Sequence, residues 1–106
     1  MQVTAWNNGG HQTSGAGYGI KISIADRDKH FNRNWETVHI TLPNKDVVEA
    51  NVKKASFWND TCRELIHKDI GKWFIETNQA PWPSGHPPKF NLNHIELNWF
   101  VLKNND

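Results

Sequence analysis

Five consecutive residues, Asp26-Arg27-Asp28-Lys29-His30, hold the densest group of charged and metal-ligating side chains in the chain. If this segment is extended, Asp26, Asp28 and His30 share one face, because successive side chains of a strand point to opposite sides. Two carboxylates and an imidazole on one face are ligands suited to a divalent cation. A metal-dependent hydrolase or nuclease is therefore one hypothesis. A solvated, charge-balanced turn is the simpler alternative, and on that basis no metal ligand is assigned.

Basic and aromatic residues are interleaved around the same segment. Cationic side chains contact phosphates and aromatic rings stack on bases, so the combination is typical of surfaces that bind nucleic acid. The alternative is that the rings belong to the core and that the charged side chains lie on the solvent-exposed face of the same elements. The candidate nucleic-acid-binding residues are Tyr18, Lys21, Arg27, Lys29, His30, Arg33 and Trp35.

Three further groups of residues lack the spacing that known sites require. The glycine-rich run 15–19 leads into a strand and has no following Gly-Lys-Ser/Thr, so it predicts a close approach of backbones and not a phosphate loop. Cys62 and His67 would lie about 140° apart on a helix and form no nucleophile–base pair. Cys62 is instead expected to be a small buried hydrophobe. The six histidines show no zinc-site spacing. We expect no cofactor and assign no catalytic residue.

The composition indicates one globular domain spanning residues 1–106. Twelve basic and 11 acidic side chains give a net charge of +1, so only local clustering of charge bears on a polyanionic partner. A single cysteine excludes an internal disulfide, which favours a reducing, cytoplasmic location. The sequence has neither a signal-peptide pattern nor a long apolar window, so we expect no membrane association. It carries no signal for an oligomeric state.

Alternating apolar residues predict a series of short strands in the N-terminal half. They cover residues 2–6, 18–25, 35–42 and 48–52, with a turn at Pro43–Asp46 before the last of them. Tyr18, Ile20, Ile22 and Ile24 would share one face of the second strand. Residues 26–34 form either a loop or a short helical turn. The strands together indicate an antiparallel meander.

After Ser56, the spacing of the apolar residues changes from every second position to the spacing of a helix. Gly71 interrupts this pattern, so we expect one bent helix or two short helices over about 56–79. The proline-rich segment 82–88 is a stiff crossing, either a lid over one end of the fold or a binding edge. Two strands, 89–93 and 95–102, follow. Six tryptophans in so small a domain suggest core packing, and Trp58, Trp73 and Trp99 are expected to be buried.

The order of these elements predicts an α+β fold. About six short, mainly antiparallel strands would form a bent sheet or a partly closed barrel. The helix or helix pair would be inserted before the last two strands.

Short motifs are spread over nearly the whole chain. They are Gly15-Ala16-Gly17-Tyr18-Gly19-Ile20-Lys21-Ile22-Ser23, Asp26-Arg27-Asp28, Ser56-Phe57-Trp58, Cys62-x-Glu64-Leu65, Ile70-Gly71-x-Trp73 and Ala80-Pro81-Trp82-Pro83-x-Gly85-x-Pro87-Pro88-x-Phe90. As a set they resemble those of a widespread group of small uncharacterised bacterial proteins. The resemblance implies a bacterial or phage cytosolic origin and brings no activity with it. In element order the chain is also similar to the DNA-binding pseudobarrels of certain plant domains and restriction enzymes.

We therefore expect a small binding domain without enzymatic activity, and nucleic acid, DNA in particular, is the first candidate partner. A metal-dependent hydrolase or nuclease acting through Asp26, Asp28 and His30 is the second hypothesis. A protein-interaction module of the immunity, antitoxin or inhibitor type, with a protein partner, is the third.

Overall fold

The computed structural model describes residues 1–105, which form one seven-stranded sheet and three helices. The elements in chain order are β1 (Gln2–Asn7), β2 (Tyr18–Lys21), α1 (Ile24–His30), β3 (Thr37–Thr41), β4 (Val47–Asn51), α2 (Ala55–Trp58), β5 (Glu64–Ile66), α3 (Lys68–Glu76), β6 (Lys89–Glu96) and β7 (Trp99–Asn104). The strand order is β4-β3-β7-β6-β1-β2-β5. Strands β3 and β7 run parallel, and the other neighbours are antiparallel. The edge strands β4 and β5 contact each other, so the sheet is nearly closed. The predicted α+β fold with a partly closed barrel is confirmed. The predicted meander of the N-terminal strands is wrong, because β2 and β3 are not neighbours and β3 pairs with β7.

The β3–β4 hairpin agrees with its prediction. Val38 pairs with Ala50 and Ile40 with Val48, and all four side chains are buried. The turn at Pro43–Asp46 is held by a hydrogen bond from the backbone N–H of Asp46 to Oδ1 of Asn44, at 2.9 Å. Period-two alternation with a polar turn was sufficient to predict both strands because one face of each is fully buried.

The predicted strand over residues 18–25 is too long. Strand β2 ends at Lys21, and Ile24 begins helix α1. The Oγ atom of Ser23 accepts a hydrogen bond from the backbone N–H of Asp26 at 3.1 Å, which satisfies one of the free donors of the first helical turn. Ile24, predicted to face the core, is 40% exposed. The N-cap chemistry of Ser23 therefore overrides the alternation of isoleucines.

The region predicted to hold one bent helix or two short ones contains two helices with a strand between them. Helix α2 has only four residues, α3 has nine, and β5 pairs antiparallel with β2. The extra strand raises the count from the expected six to seven. Arg63 turns the chain into β5 with a φ of 69°, a conformation that helical periodicity cannot reveal.

The hairpin of β6 and β7 turns at residues 97–98, later than the predicted break after 93. A β-bulge between His94 and Glu96 shifts the register. In β7 the buried side chains are Phe100 and Leu102, so Trp99 points to the other face and is 41% exposed. The prediction that Trp99 is buried is wrong. Both faces of β7 carry apolar residues, so the alternation alone does not show which face is buried.

Aromatic rings from α3 and from the proline-rich crossing pack in and against the core. Trp73 of α3 is 3% exposed, as predicted, and packs against Phe74 and Phe90. Trp82 of the proline-rich crossing lies edge-on to Tyr18 and Phe74, so this ring covers the core. Trp58, predicted to be buried, is only half-buried. None of the three helices in residues 1–105 has the length and apolar character of a membrane-spanning helix.

The glycine-rich run before β2 allows two backbones to meet, as its composition predicts. Gly15, with a φ of 88°, lies against the start of α3, and a Cβ atom on Gly71 would overlap the backbone of Gly15 and the ring of Tyr18. Gly71 therefore marks a close contact and not a bend in a helix.

We expect Gly71→Ala to destabilise the fold by roughly 1–3 kcal/mol, because the new methyl group meets backbone atoms that cannot move aside. Alanine is otherwise the better helix former by about 1 kcal/mol, so a loss of stability can only come from the clash. Urea denaturation measures the change. The control is Gly10→Ala, where the nearest atoms are side-chain atoms of Asn8 and Gln12. Equal stability of the two variants would contradict the close approach.

Candidate nucleic-acid interface

Helix α1 and the loop after it bring cations and rings to one side of the barrel. Lys29 and His30 occupy the last turn of α1, where the helix dipole favours positive charge. Phe31 ends the helix with extended backbone, and its buried ring stacks on Phe100 with centroids 4.7 Å apart. This anchor fixes the start of the loop that carries Arg33 and Trp35.

Two open hollows in this surface meet at Arg33. One, of about 420 Å³, is lined by Lys29, His30, Phe31, Asn32, Arg33, Trp35 and His94. The other, of about 290 Å³, is lined by Arg33, Lys53, Lys54, Ala55 and Trp58. Both hollows are lined by Arg33, and together they are called the Arg33 groove.

Arg33 is positioned by an aromatic ring. Its guanidinium carbon lies 4.5 Å from the ring centroid of Trp58, within the range of a cation–π contact. Trp58 is itself fixed, since its Nε1–H donates to the carbonyl of Val52 at 2.9 Å. Among residues 1–105, no carboxylate lies within ion-pair distance of Lys29, Arg33 or Lys53. Their charges are therefore available to an anionic ligand.

Lys54 differs from the other cations of the groove. Burial lowers the pKa of Lys54 from its ordinary value, and attraction to Glu64 partly opposes that shift. Glu64 is itself buried, at 8% exposed. Since part of the Lys54 charge is balanced by this carboxylate, the groove relies on Lys29, Arg33 and Lys53.

Arg27 is buried and has a structural role. It is 4% exposed, and its Nη1 donates to the carbonyls of Phe57 and Asn59 at 3.2 and 2.8 Å. Its Nε also donates to Asp28 at 3.0 Å. Arg27 thus ties α1 to the end of α2, where helix carbonyls lack partners. It offers no free charge to a ligand, and the interface proposed below omits it.

Two other residues of the predicted cluster lie outside the Arg33 groove. Tyr18 is 1% exposed, and its hydroxyl is hydrogen-bonded to Nδ1 of His11 at 2.9 Å. A ring so buried has no face on which a base could stack. Lys21 donates from Nζ to the carbonyl of Thr61 at 3.0 Å. Of the seven predicted residues, the structure brings together Lys29, His30, Arg33 and Trp35.

The groove also contains residues that the sequence did not assign to the interface. Lys53, Lys54 and Trp58 repeat the basic and aromatic combination within six positions, and this signal could have been found. His94 had no such signal. His94 lies on β6, 64 positions after His30, and only the order of strands in the sheet brings it to the groove.

His30 and His94 form a close pair inside the groove. Their Nδ1 atoms are 3.4 Å apart, and the planes of the two rings are nearly perpendicular, at 88°. Burial lowers the pKa of His30, and the neighbouring His94 and Lys29 lower it further, with Asp26 and the more distant N-terminus acting weakly in opposite directions. The lowered pKa favours the neutral form of His30.

The three-ligand metal face predicted for this region does not form. It required an extended segment, whereas Ile24–His30 is helical, so neighbours two positions apart point about 200° away from each other. Asp28 instead pairs with Arg27. Within residues 1–105 there is no group of three or more His, Cys, Asp or Glu side chains able to hold a metal ion.

Cys62 is not on a helix and is not fully buried, contrary to its prediction. It lies half-buried in the turn before β5, and its sulfur accepts a hydrogen bond from Nδ2 of Asn59 at 3.5 Å. Its side chain is held by the turn, and His67 starts α3 as a helix cap.

Comparison with protein-family models, with curated proteins and with solved structures finds no match for this chain. The case for a function therefore depends on the chemistry of the groove itself.

Proposed function

We propose that the protein binds nucleic acid through the Arg33 groove, with single-stranded DNA as the first ligand to test. The observation that carries the proposal is the meeting of two hollows at Arg33, with cations in both and an indole ring in each. Cations spaced along a groove follow a phosphate backbone, and the partly exposed ring of Trp35 offers a stacking surface for a base. The ring of Trp58 instead holds Arg33 in place. The small net charge is compatible with this, because the lining of the groove, within the described residues 1–105, contains Lys29, Arg33 and Lys53 and no carboxylate.

The proposal is tested by titrating a labelled single strand at several salt concentrations. Three phosphate contacts, from Lys29, Arg33 and Lys53, should give a slope of log K against log salt of about −2. Trp35→Leu should weaken binding by about 1–3 kcal/mol for the lost stacking partner and leave the slope unchanged, since stacking is not ionic. Absence of binding to any oligonucleotide at low salt would refute the proposal.

One observation favours a protein partner as a second candidate function. Three large apolar side chains at the end of the β6–β7 hairpin are exposed, namely Ile95 at 59%, Leu97 at 76% and Trp99 at 41%. Exposed apolar side chains grouped at one hairpin end are typical of interaction sites. If it replaces nucleic-acid binding, Leu97→Ser should abolish capture of the partner, whereas substitutions in the Arg33 groove should not.

A further inference from the structure

The Nδ1 atoms of His30 and His94 face each other, and the other ring nitrogen of His94 contacts the backbone. The Nε2 atom of His94 lies 2.5 Å from the carbonyl oxygen of Leu97. A carbonyl only accepts hydrogen bonds, so Nε2 of His94 carries the proton. When Nε2 carries the only ring proton, Nδ1 of His94 has a free lone pair, and this atom faces Nδ1 of His30 at 3.4 Å.

Packing holds the His94 ring in this orientation. It stacks on Phe100 with centroids 4.6 Å apart and an interplanar angle of 17°, and it meets the edge of Trp35. In metal sites, a ligating histidine usually donates the N–H of its non-ligating nitrogen to a carbonyl or a carboxylate. The contact between His94 and Leu97 matches this arrangement.

The separation of the two nitrogens agrees with a tetrahedral ion. With Zn–N bonds of about 2.0–2.1 Å and a tetrahedral angle, two imidazole nitrogens on one Zn²⁺ are about 3.3 Å apart. The Nδ1 atoms of His30 and His94 are 3.4 Å apart. A right-angled arrangement, as in square or octahedral sites, would require about 2.9 Å with the same bond lengths.

We propose that His30 and His94 form a two-imidazole site for Zn²⁺ at the wall of the Arg33 groove. Both Nδ1 lone pairs bind the ion, Nε2–H of His94 keeps its bond to Leu97, and the proton on Nδ1 of His30 moves to its Nε2. No proton is released in that exchange, because His30 only changes tautomer. The two remaining positions of the ion hold water and face the groove.

This site differs in its ligands from the acidic face considered from the sequence, since only His30 is common to both. The site is also independent of nucleic-acid binding, because it depends only on the geometry of the two rings. Imidazole ligands favour Zn²⁺ over Mg²⁺ or Ca²⁺, which prefer oxygen. The nearby charge of Lys29 opposes any cation, so Lys29→Gln should tighten zinc binding.

The test is calorimetric titration of the tag-free full chain with ZnCl2 at neutral pH, with Co²⁺ absorption as a second readout of tetrahedral geometry. We expect one equivalent of Zn²⁺, and a loss of affinity of at least about tenfold in both His30→Asn and His94→Asn. His86→Asn is the matched control, because His86 is exposed on the proline-rich crossing, and it should bind as the wild type does.

His94→Asn removes a ring that packs on Phe100, so His30→Asn, at the end of α1, decides the outcome if the first variant fails to fold. Unchanged zinc affinity in His30→Asn would overturn the proposal. So would the absence of zinc binding in the wild type, or an equal loss in His86→Asn.

Discussion

Replacing Lys29, Arg33 and Lys53 together by glutamine should weaken single-strand binding by about 10²-fold at about 0.1 M salt. Each lost phosphate contact removes about 0.7 from the slope of log K against log salt, and three contacts extrapolated from 1 M to 0.1 M give that factor. These three cations have no carboxylate partner among residues 1–105, so the fold should tolerate the change. Fluorescence anisotropy measures the affinity, and thermal unfolding checks the fold.

A charge-matched control separates this local effect from net charge. Lys68, Lys72 and Lys103 are exposed and lie outside the Arg33 groove. Their joint replacement by glutamine changes the total charge by the same amount and should reduce the affinity only slightly. If both triple variants lose affinity equally, the protein binds DNA through its overall electrostatic field and not through the Arg33 groove.

The second large effect concerns stability and uses the same substitution at two tryptophans. Trp73→Ala should cost roughly 3–5 kcal/mol, because a ring that is 3% exposed leaves a cavity among Phe74 and Phe90. Trp99→Ala should cost no more than about 1 kcal/mol, since Trp99 is 41% exposed and its main contact is stacking on His39 at 4.2 Å. Urea denaturation gives both values. A comparable loss in the two variants would contradict the orientation of β7.

The fold could be predicted from the sequence where alternation and turn chemistry agree. The β3–β4 hairpin is such a case, because Val38, Ile40, Val48 and Ala50 form one buried face around a polar turn. Prediction was wrong where a local interaction competes with the pattern. The Ser23 cap starts a helix inside an apparent strand, and the positive φ of Arg63 starts a strand inside an apparent helix.

The candidate interface could be predicted only in its local part. Lys29, His30, Arg33 and Trp35 are close in sequence and remain together in the structure. Arg27 has the same character in the sequence, but its position on α1 turns it toward the carbonyls of Phe57 and Asn59. Which cation of a helix is buried depends on the element that packs against it, and here that element lies 30 residues away.

The nuclear magnetic resonance spectrum of the labelled protein, recorded with and without a short single-stranded DNA at low salt, tests the central claim most directly. Each tryptophan indole N–H gives its own signal and reports on its own part of the surface. Binding in the Arg33 groove should shift the indole signals of Trp35 and Trp58 and the amide signals of residues 29–35 and 53–58, and leave Trp73 unchanged. Shifts confined to Trp99 and the β6–β7 hairpin, or no shifts at all, would contradict the claim.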